Sequence, residues 1–329
     1  MTRFASMTAL VLTAGCADIL DIEVIWHQGG GGSGAGGSGA GVPSDGGNGA
    51  STADGGNGGT SADGGGGAAG GMGAGGENTG GGPGFCTVGD DFDVNGAPDA
   101  ACWDWFNENL VTTQVTSGEL HIRPNGHGTT TGWYDGTHGY LLYRFVSPGA
   151  FAVVTRVRAT SLSGDNPPAP SGMYHVTGLI VLDPVTMDWM KLEVGYRGDP
   201  ALFLNPYGLL AAITENDNTD HLLPYNEDAD IDVELGICRD AFNGMILFVR
   251  NEPTGSFEQL TSTQLGTFQM PDGVQVGMTA TAFNGPGNDI DGRFDYTRFA
   301  ENVTIDSVAD CQTIITALAD QAPGECGCP

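Results

Sequence analysis

From Gly29 to Gly84, 29 of 56 residues are glycine, and Val42 and Met72 are the only larger apolar side chains in the stretch. A segment of this kind cannot bury enough surface to offset the entropy of ordering it, so it is expected to behave as a disordered tether. Behaving as a flexible coil, it would span on the order of 40–45 Å, with a taut limit near ~190 Å. Glycine-rich phosphate loops need a strand before them and a helix after, and neither pattern flanks this tract. Any packed domain must therefore come from the residues that follow.

After Phe85 the pattern changes to period-two alternation broken by turn residues. Glu119 to Arg123, Gly139 to Val146, Ala150 to Thr160, Tyr174 to Leu182 and Met187 to Tyr196 read as strands. So do Ile231 to Ile237, Met245 to Val249, Val274 to Thr281 and Phe294 to Phe299. Asp183-Pro184, Asn243-Gly244 and Asp272-Gly273 supply turns. Asp165 to Gly172 and Ala201 to Tyr225 read as long connections, and only Asp306 to Asp320 has helical spacing. Many strands without interleaved helices imply an all-β sandwich or barrel, and the 244 residues beyond 85 suffice for one such domain.

Charge narrows the partners. From Cys86 onward there are 33 acidic against 10 basic residues, and Lys191 is the only lysine of the chain. No basic stripe exists to neutralise phosphates, which excludes nucleic acid, and the domain itself would be repelled by anionic lipid.

The N-terminus and the cysteines indicate export. Arg3 precedes an apolar run, Phe4 to Leu12, too short to span a bilayer and read as a signal segment. Leu12-Thr13-Ala14-Gly15-Cys16 resembles the lipobox of bacterial lipoproteins. The resemblance implies cleavage after residue 15, acylation of Cys16 and anchoring in the cell envelope. Ala17 at the next position favours the outer membrane. Six cysteines remain, Cys86, Cys102, Cys238, Cys311, Cys326 and Cys328. An even number in an oxidising compartment reads as disulfides, with fifteen connectivities open. The preferred pairing is Cys238 with Cys311, with the last two cysteines reaching back to Cys86 and Cys102.

Several fragments, in order, carry a second resemblance: Asp90-Asp91-Phe92-Asp93 with Trp103, Leu120-His121-Ile122, Gly132-Trp133-Tyr134, Leu142-Tyr143-Arg144, Gly178 to Leu182 with Trp189-Met190-Lys191-Leu192, and Val276 to Ala280 with Phe294-Asp295-Tyr296. Over residues 88 to 300 the chain resembles concanavalin A-like lectin and glucanase domains of the laminin-G-like, xylosidase-appended type. That implies a jelly-roll β-sandwich whose first and last strands pair. The expected organisation is a signal peptide (1–15), an anchor and linker (16–85), a sandwich (86–305) and a helix with a Cys-rich tail (306–329).

Function is read from the side chains. Trp133, Tyr134, Tyr140 and Tyr174, with Trp189, are candidate stacking platforms for sugar rings. Asp91, Asp93 and Asp295 are candidate calcium ligands, the only cofactor suggested. Asp230-Ile231-Asp232-Val233-Glu234 places three carboxylates on one face of a strand and resembles the Glu-x-Asp-x-Glu signature of family 16 glycoside hydrolases, with Asp230 and Glu234 as the alternative catalytic pair. A retaining mechanism needs two carboxyls about 5–5.5 Å apart, closer than i and i+4 on a straight strand. His121, His127, His138 and His175 are irregularly spaced and read as turn and surface residues rather than a zinc set. The expectation is a non-catalytic module that binds a polysaccharide or another envelope component. A glycoside hydrolase and a structural or adhesive envelope protein are the alternatives.

Overall fold

A computed structural model describes residues 88–125, 132–164, 174–197, 207–223, 232–251, 254–261, 265, 268–270, 272–283 and 290–323. The chain divides into two units, Met1–Ala74 and Gly75–Pro329, and every described residue lies in the second. The signal segment, Cys16, the glycine tract, Cys86, Cys326 and Cys328 lie outside the described residues.

In chain order the strands are β1 (Val88–Asp90), β2 (Asp104–Phe106), β3 (Val111–Thr116), β4 (Glu119–Pro124), β5 (Leu141–Val146), β6 (Phe151–Thr160), β7 (Tyr174–Leu182) and β8 (Trp189–Arg197). They continue with β9 (Tyr207–Glu215), β10 (Asn218–His221), β11 (Asp232–Arg239), β12 (Met245–Arg250), β13 (Glu258–Leu260), β14 (Val274–Phe283) and β15 (Asp291–Glu301), followed by helix α1 (Val308–Ala319). Two antiparallel sheets form. The first runs β13-β12-β11-β6-β15-β4-β3, with β1 also on β15; the second runs β10-β9-β8-β7-β14-β5-β2. This is the all-β, jelly-roll sandwich expected, with one short C-terminal helix.

Alternation decides which side chains meet between the sheets. Leu120, Ile122, Val153, Val157, Leu235, Ile237, Leu247 and Val249 of the first sheet share one buried cluster with Leu142, Leu179, Val181, Leu192, Val194, Val276 and Met278 of the second. Close approach is needed at Gly292, where an added Cβ would lie 2.4 Å from Thr177 Oγ1. The region expected to be a long connection, Ala201 to Tyr225, instead holds β9 and β10. Its residues Leu209 to Thr214 are buried without a break, so the run Leu-Leu-Ala-Ala-Ile lacks the alternation that marks a half-buried strand.

The first sheet has its own cover. Ile314, Ile315 and Leu318 of α1 pack with Ala152, Val154, Phe248 and Ala300 on the outer side of that sheet. Cys311 of the helix is bonded to Cys238 of β11, as the preferred pairing had it. Cys102 is also disulfide-bonded, with its partner outside the described residues. Ser307 caps the helix by accepting from the Asp310 amide. At another margin Arg239, fully buried, donates to the carbonyls of Ser147, Gly149, Met270 and Asp272, tying two loops to one side chain.

Candidate functional site

The acidic strand lies on the outer side of the first sheet. Odd residues of β11 point into the core, so Asp232 and Glu234 point out, and Asp230 lies outside the described residues. Asp232 receives two hydrogen bonds from Arg156, at 2.9 and 2.6 Å. Glu234 is 3% exposed; it is paired with Arg250 and accepts from the Tyr296 hydroxyl at 2.6 Å. Burial, with the Glu234 charge added, pushes the Tyr296 hydroxyl above its ordinary range. Both Glu234 oxygens are engaged beside α1, one by the Arg250 guanidinium and the other by the Tyr296 hydroxyl.

Two of the three calcium candidates are likewise held in ion pairs. Asp91 is buried against Arg298, whose guanidinium also donates to the carbonyls of Leu318, Ala319 and Gln321. Asp295 falls at the bulge in β15, between Phe294 and Tyr296, and faces Arg156 and Arg158. Asp93 is exposed. Among the described residues no group of three His, Cys, Asp or Glu gathers closely enough to hold a metal ion. The histidines depart from the surface reading: His175 is 1% exposed, and His121 is buried with Nδ1 2.9 Å from Asp291. His127 lies outside the described residues.

The outer side of the second sheet is chemically different. Register aligns His221, Ala212, Lys191, Ile180, Gly277 and Tyr143 in one cross-strand row. The neighbouring row is Thr219, Thr214, Trp189, Leu182, Gln275 and Phe145. Across this face lies the turn after Gly132. Trp133 sits edge-on to Trp189 with ring centroids 6.0 Å apart, and its indole N–H donates to the Tyr140 carbonyl at 3.1 Å. The turn is fastened to the hairpin of β9 and β10 by a reciprocal pair, Asp135 N to Thr219 Oγ1 and Thr219 N to Asp135 Oδ1.

Within this arrangement Lys191 Nζ lies 3.1 Å from Glu193 Oε2, donates to the Trp133 carbonyl at 2.9 Å, and stands 5.4 Å from the Trp189 ring centroid. Thr281 donates to the other Glu193 oxygen at 3.3 Å. His221 has its imidazole held below its ordinary pKa by burial and then by Lys191; its ring faces Tyr134 at 6.5 Å. The indole N–H of Trp189 is buried with no hydrogen-bond partner among the described residues.

Of the four expected platforms, Tyr134 and Tyr174 are half-buried on this side, while Trp133 and Tyr140 are closed off. Tyr140 belongs to the core between the sheets and Trp133 is 1% exposed, so neither presents a free ring face. Phe145, 54% exposed on the same face, and the Lys191–Glu193 pair were not singled out from sequence. The signal for the pair was the single lysine of an acidic chain, set at a two-residue spacing from a glutamate in an apolar strand.

Neither a family model nor a curated protein matches the sequence. Among solved structures the chain is similar to a xylan β-1,4-xylosidase from Bacillus halodurans C-125, at 18% identity and TM-score 0.46, with 65% of this chain covering 39% of that one. It is also similar to LamAcat from Zobellia galactanivorans (15%, TM-score 0.40, 66% of this chain and 98% of that one). A third is peanut lectin with a nine-residue peptide (11%, TM-score 0.40, 64% and 98%).

Proposed function

We propose that the protein is an exported, lipid-anchored envelope protein whose sandwich binds a glycan, without cleaving it, on the outer side of the second sheet. The observation that carries this is the aromatic surface which that face leaves accessible: Phe145, 54% exposed, with half-buried Tyr143, Tyr134 and Tyr174. Phe145 and Tyr143 at one end of the face, and Tyr134 and Tyr174 elsewhere on it, are the aromatic surfaces on which sugar rings stack. What supports a non-cleaving reading is that a retaining glycosidase uses two free carboxyls about 5–5.5 Å apart, whereas Glu193 at the centre of this face is paired to the Lys191 ammonium. Calcium has no part in this reading.

The test is titration of the protein with neutral and acidic oligosaccharides, followed by tryptophan fluorescence and calorimetry. Phe145→Ala removes the exposed ring of the face, and the expected loss in affinity is about tenfold. No saturable binding over a broad oligosaccharide panel would overturn the proposal, and release of reducing ends would replace it with a hydrolase. The anchor is tested separately: Cys16→Ser should abolish lipid labelling and membrane fractionation.

A further inference from the structure

At the far end of the first sheet, beside the start of α1, lies a pocket of about 390 Å³ that the glycan reading does not use. Met245, Ile246, Leu260 and Leu265, each less than a tenth exposed, line it together with Gln259, Thr261 and Ser307, so its surface mixes apolar and polar groups. Asp240 and Asp306 stand on its rim, and among the described residues no Lys, Arg or His lines it. Two large apolar side chains are exposed here. Val308, a lining residue, is 38% exposed, and Phe242, in the turn between lining residues Asp240 and Gly244, is 73% exposed. The Ala241 amide bonds the Ile305 carbonyl, which holds that turn against the approach to the helix. One margin is formed by Gln259 and Leu260 of β13, which is the terminal strand of its sheet and pairs only with β12 among the described residues.

We propose that this pocket docks an extended segment of a partner protein that carries an apolar residue flanked by Lys or Arg. A pocket of this size with apolar groups at its base accepts one large side chain, and exposed apolar residues beside it mark an interaction surface. The acidic rim, on a chain of formal charge −29, selects for cations beside the anchor and repels a second copy of the chain. A terminal strand is the natural guide for an extended segment.

The probes are labelled peptides Arg-X-Arg and Glu-X-Glu, with X as Leu, Phe or Trp, titrated into the full-length protein by fluorescence anisotropy at about 50 and about 200 mM salt. Arg-X-Arg should bind saturably and Glu-X-Glu should not. Phe242→Ser and Val308→Ser, both at exposed positions that tolerate change, should each weaken binding about tenfold. Asp306→Asn should weaken it less and flatten its salt dependence. Equal binding of the two peptide sets, or unchanged binding in all three variants, would overturn the proposal. So would a concentration-dependent dimer, seen by sedimentation and abolished by Phe242→Ser, because the surface would then belong to a second copy. Oligosaccharide titration of Phe242→Ser should match the unmodified protein, which keeps this result separate from the glycan reading.

Discussion

On the outer side of the first sheet Arg123, Arg156, Arg158, Arg250, Arg293 and Arg298 each face a carboxylate: Asp291, Asp232 or Asp295, Glu119 or Asp295, Glu234 or Asp320, Asp291, and Asp91 respectively. Among the described residues the outer side of the second sheet has a single such pair, Lys191 with Glu193, set among Trp189, Trp133, Thr281 and the half-buried tyrosines. More than half of the chain's 11 basic residues are thus consumed on one face. Charges already matched to neighbours hold structure together and have little left for a ligand. A face with exposed aromatic surface has something to offer one.

The largest test of this contrast is Glu234→Ala, which strands Arg250 and the Tyr296 hydroxyl beside the helix. Removing one member of a buried pair costs about 3–5 kcal/mol, and urea unfolding should show a loss of that order. A variant as stable as the original would return the acidic strand to consideration as a reactive group. Next is the cross-link that pins α1. Replacing both Cys238 and Cys311 by serine opens a loop of 73 residues and should cost about 2–4 kcal/mol, with protease cutting near the helix before the sandwich. If the helix stays protected, packing of Ile314, Ile315 and Leu318 alone holds it.

A smaller effect concerns acid. Burial by itself would raise the Asp291 carboxyl, but hydrogen bonds from His121 and Arg123 outweigh it and hold the group at about 2, against 3.8 ordinarily. With the folded value depressed, the stability from this group is complete above the unfolded value and is lost as pH falls from near 3.8 toward about 2. Asp291→Asn should lower stability at neutral pH by about 1–3 kcal/mol and lack that part of the acid limb in a pH–stability profile. An unchanged acid limb would mean the charged first face contributes less than its geometry suggests. The smallest stability effect belongs to the second face: Phe145→Ala should change stability by less than about 0.5 kcal/mol yet weaken oligosaccharide binding. Loss of stability without loss of binding would reverse the contrast.

Most strands were legible because one face of each meets the core. The pairs Leu120 and Ile122, Leu235 and Ile237, and Leu247 and Val249 all enter the shared cluster from alternate positions. The helix at Val308–Ala319, the turn at Asn243, with φ of 66°, and the pairing of Cys238 with Cys311 were also readable. β9 was not, since burial on both sides erases alternation, nor were short β1, β2 and β13, whose three residues carry no period. The site was read only in part. Sequence proposed rings, but whether Trp133 and Tyr140 face out depends on the turn after Gly132 folding back across the second sheet. Pairing of distant charges such as Asp91 with Arg298, 207 residues apart, leaves no local trace.

The seam between β1 and β15 bears on how the molecule carries load. Val88, Gly89 and Asp90 lie against Phe299, Arg298 and Thr297. Tension arriving from the chain ahead of Val88 therefore enters at a strand of three residues. Immediately beyond it Asp91 grips Arg298, and Arg298 in turn grips the carbonyls that end α1. Asp90 adds a second hold through the Trp103 indole at 3.0 Å. A pull on one end of the domain is thus passed through a single guanidinium to the other end. The first strand, the last strand and the end of the helix are thereby held at one point.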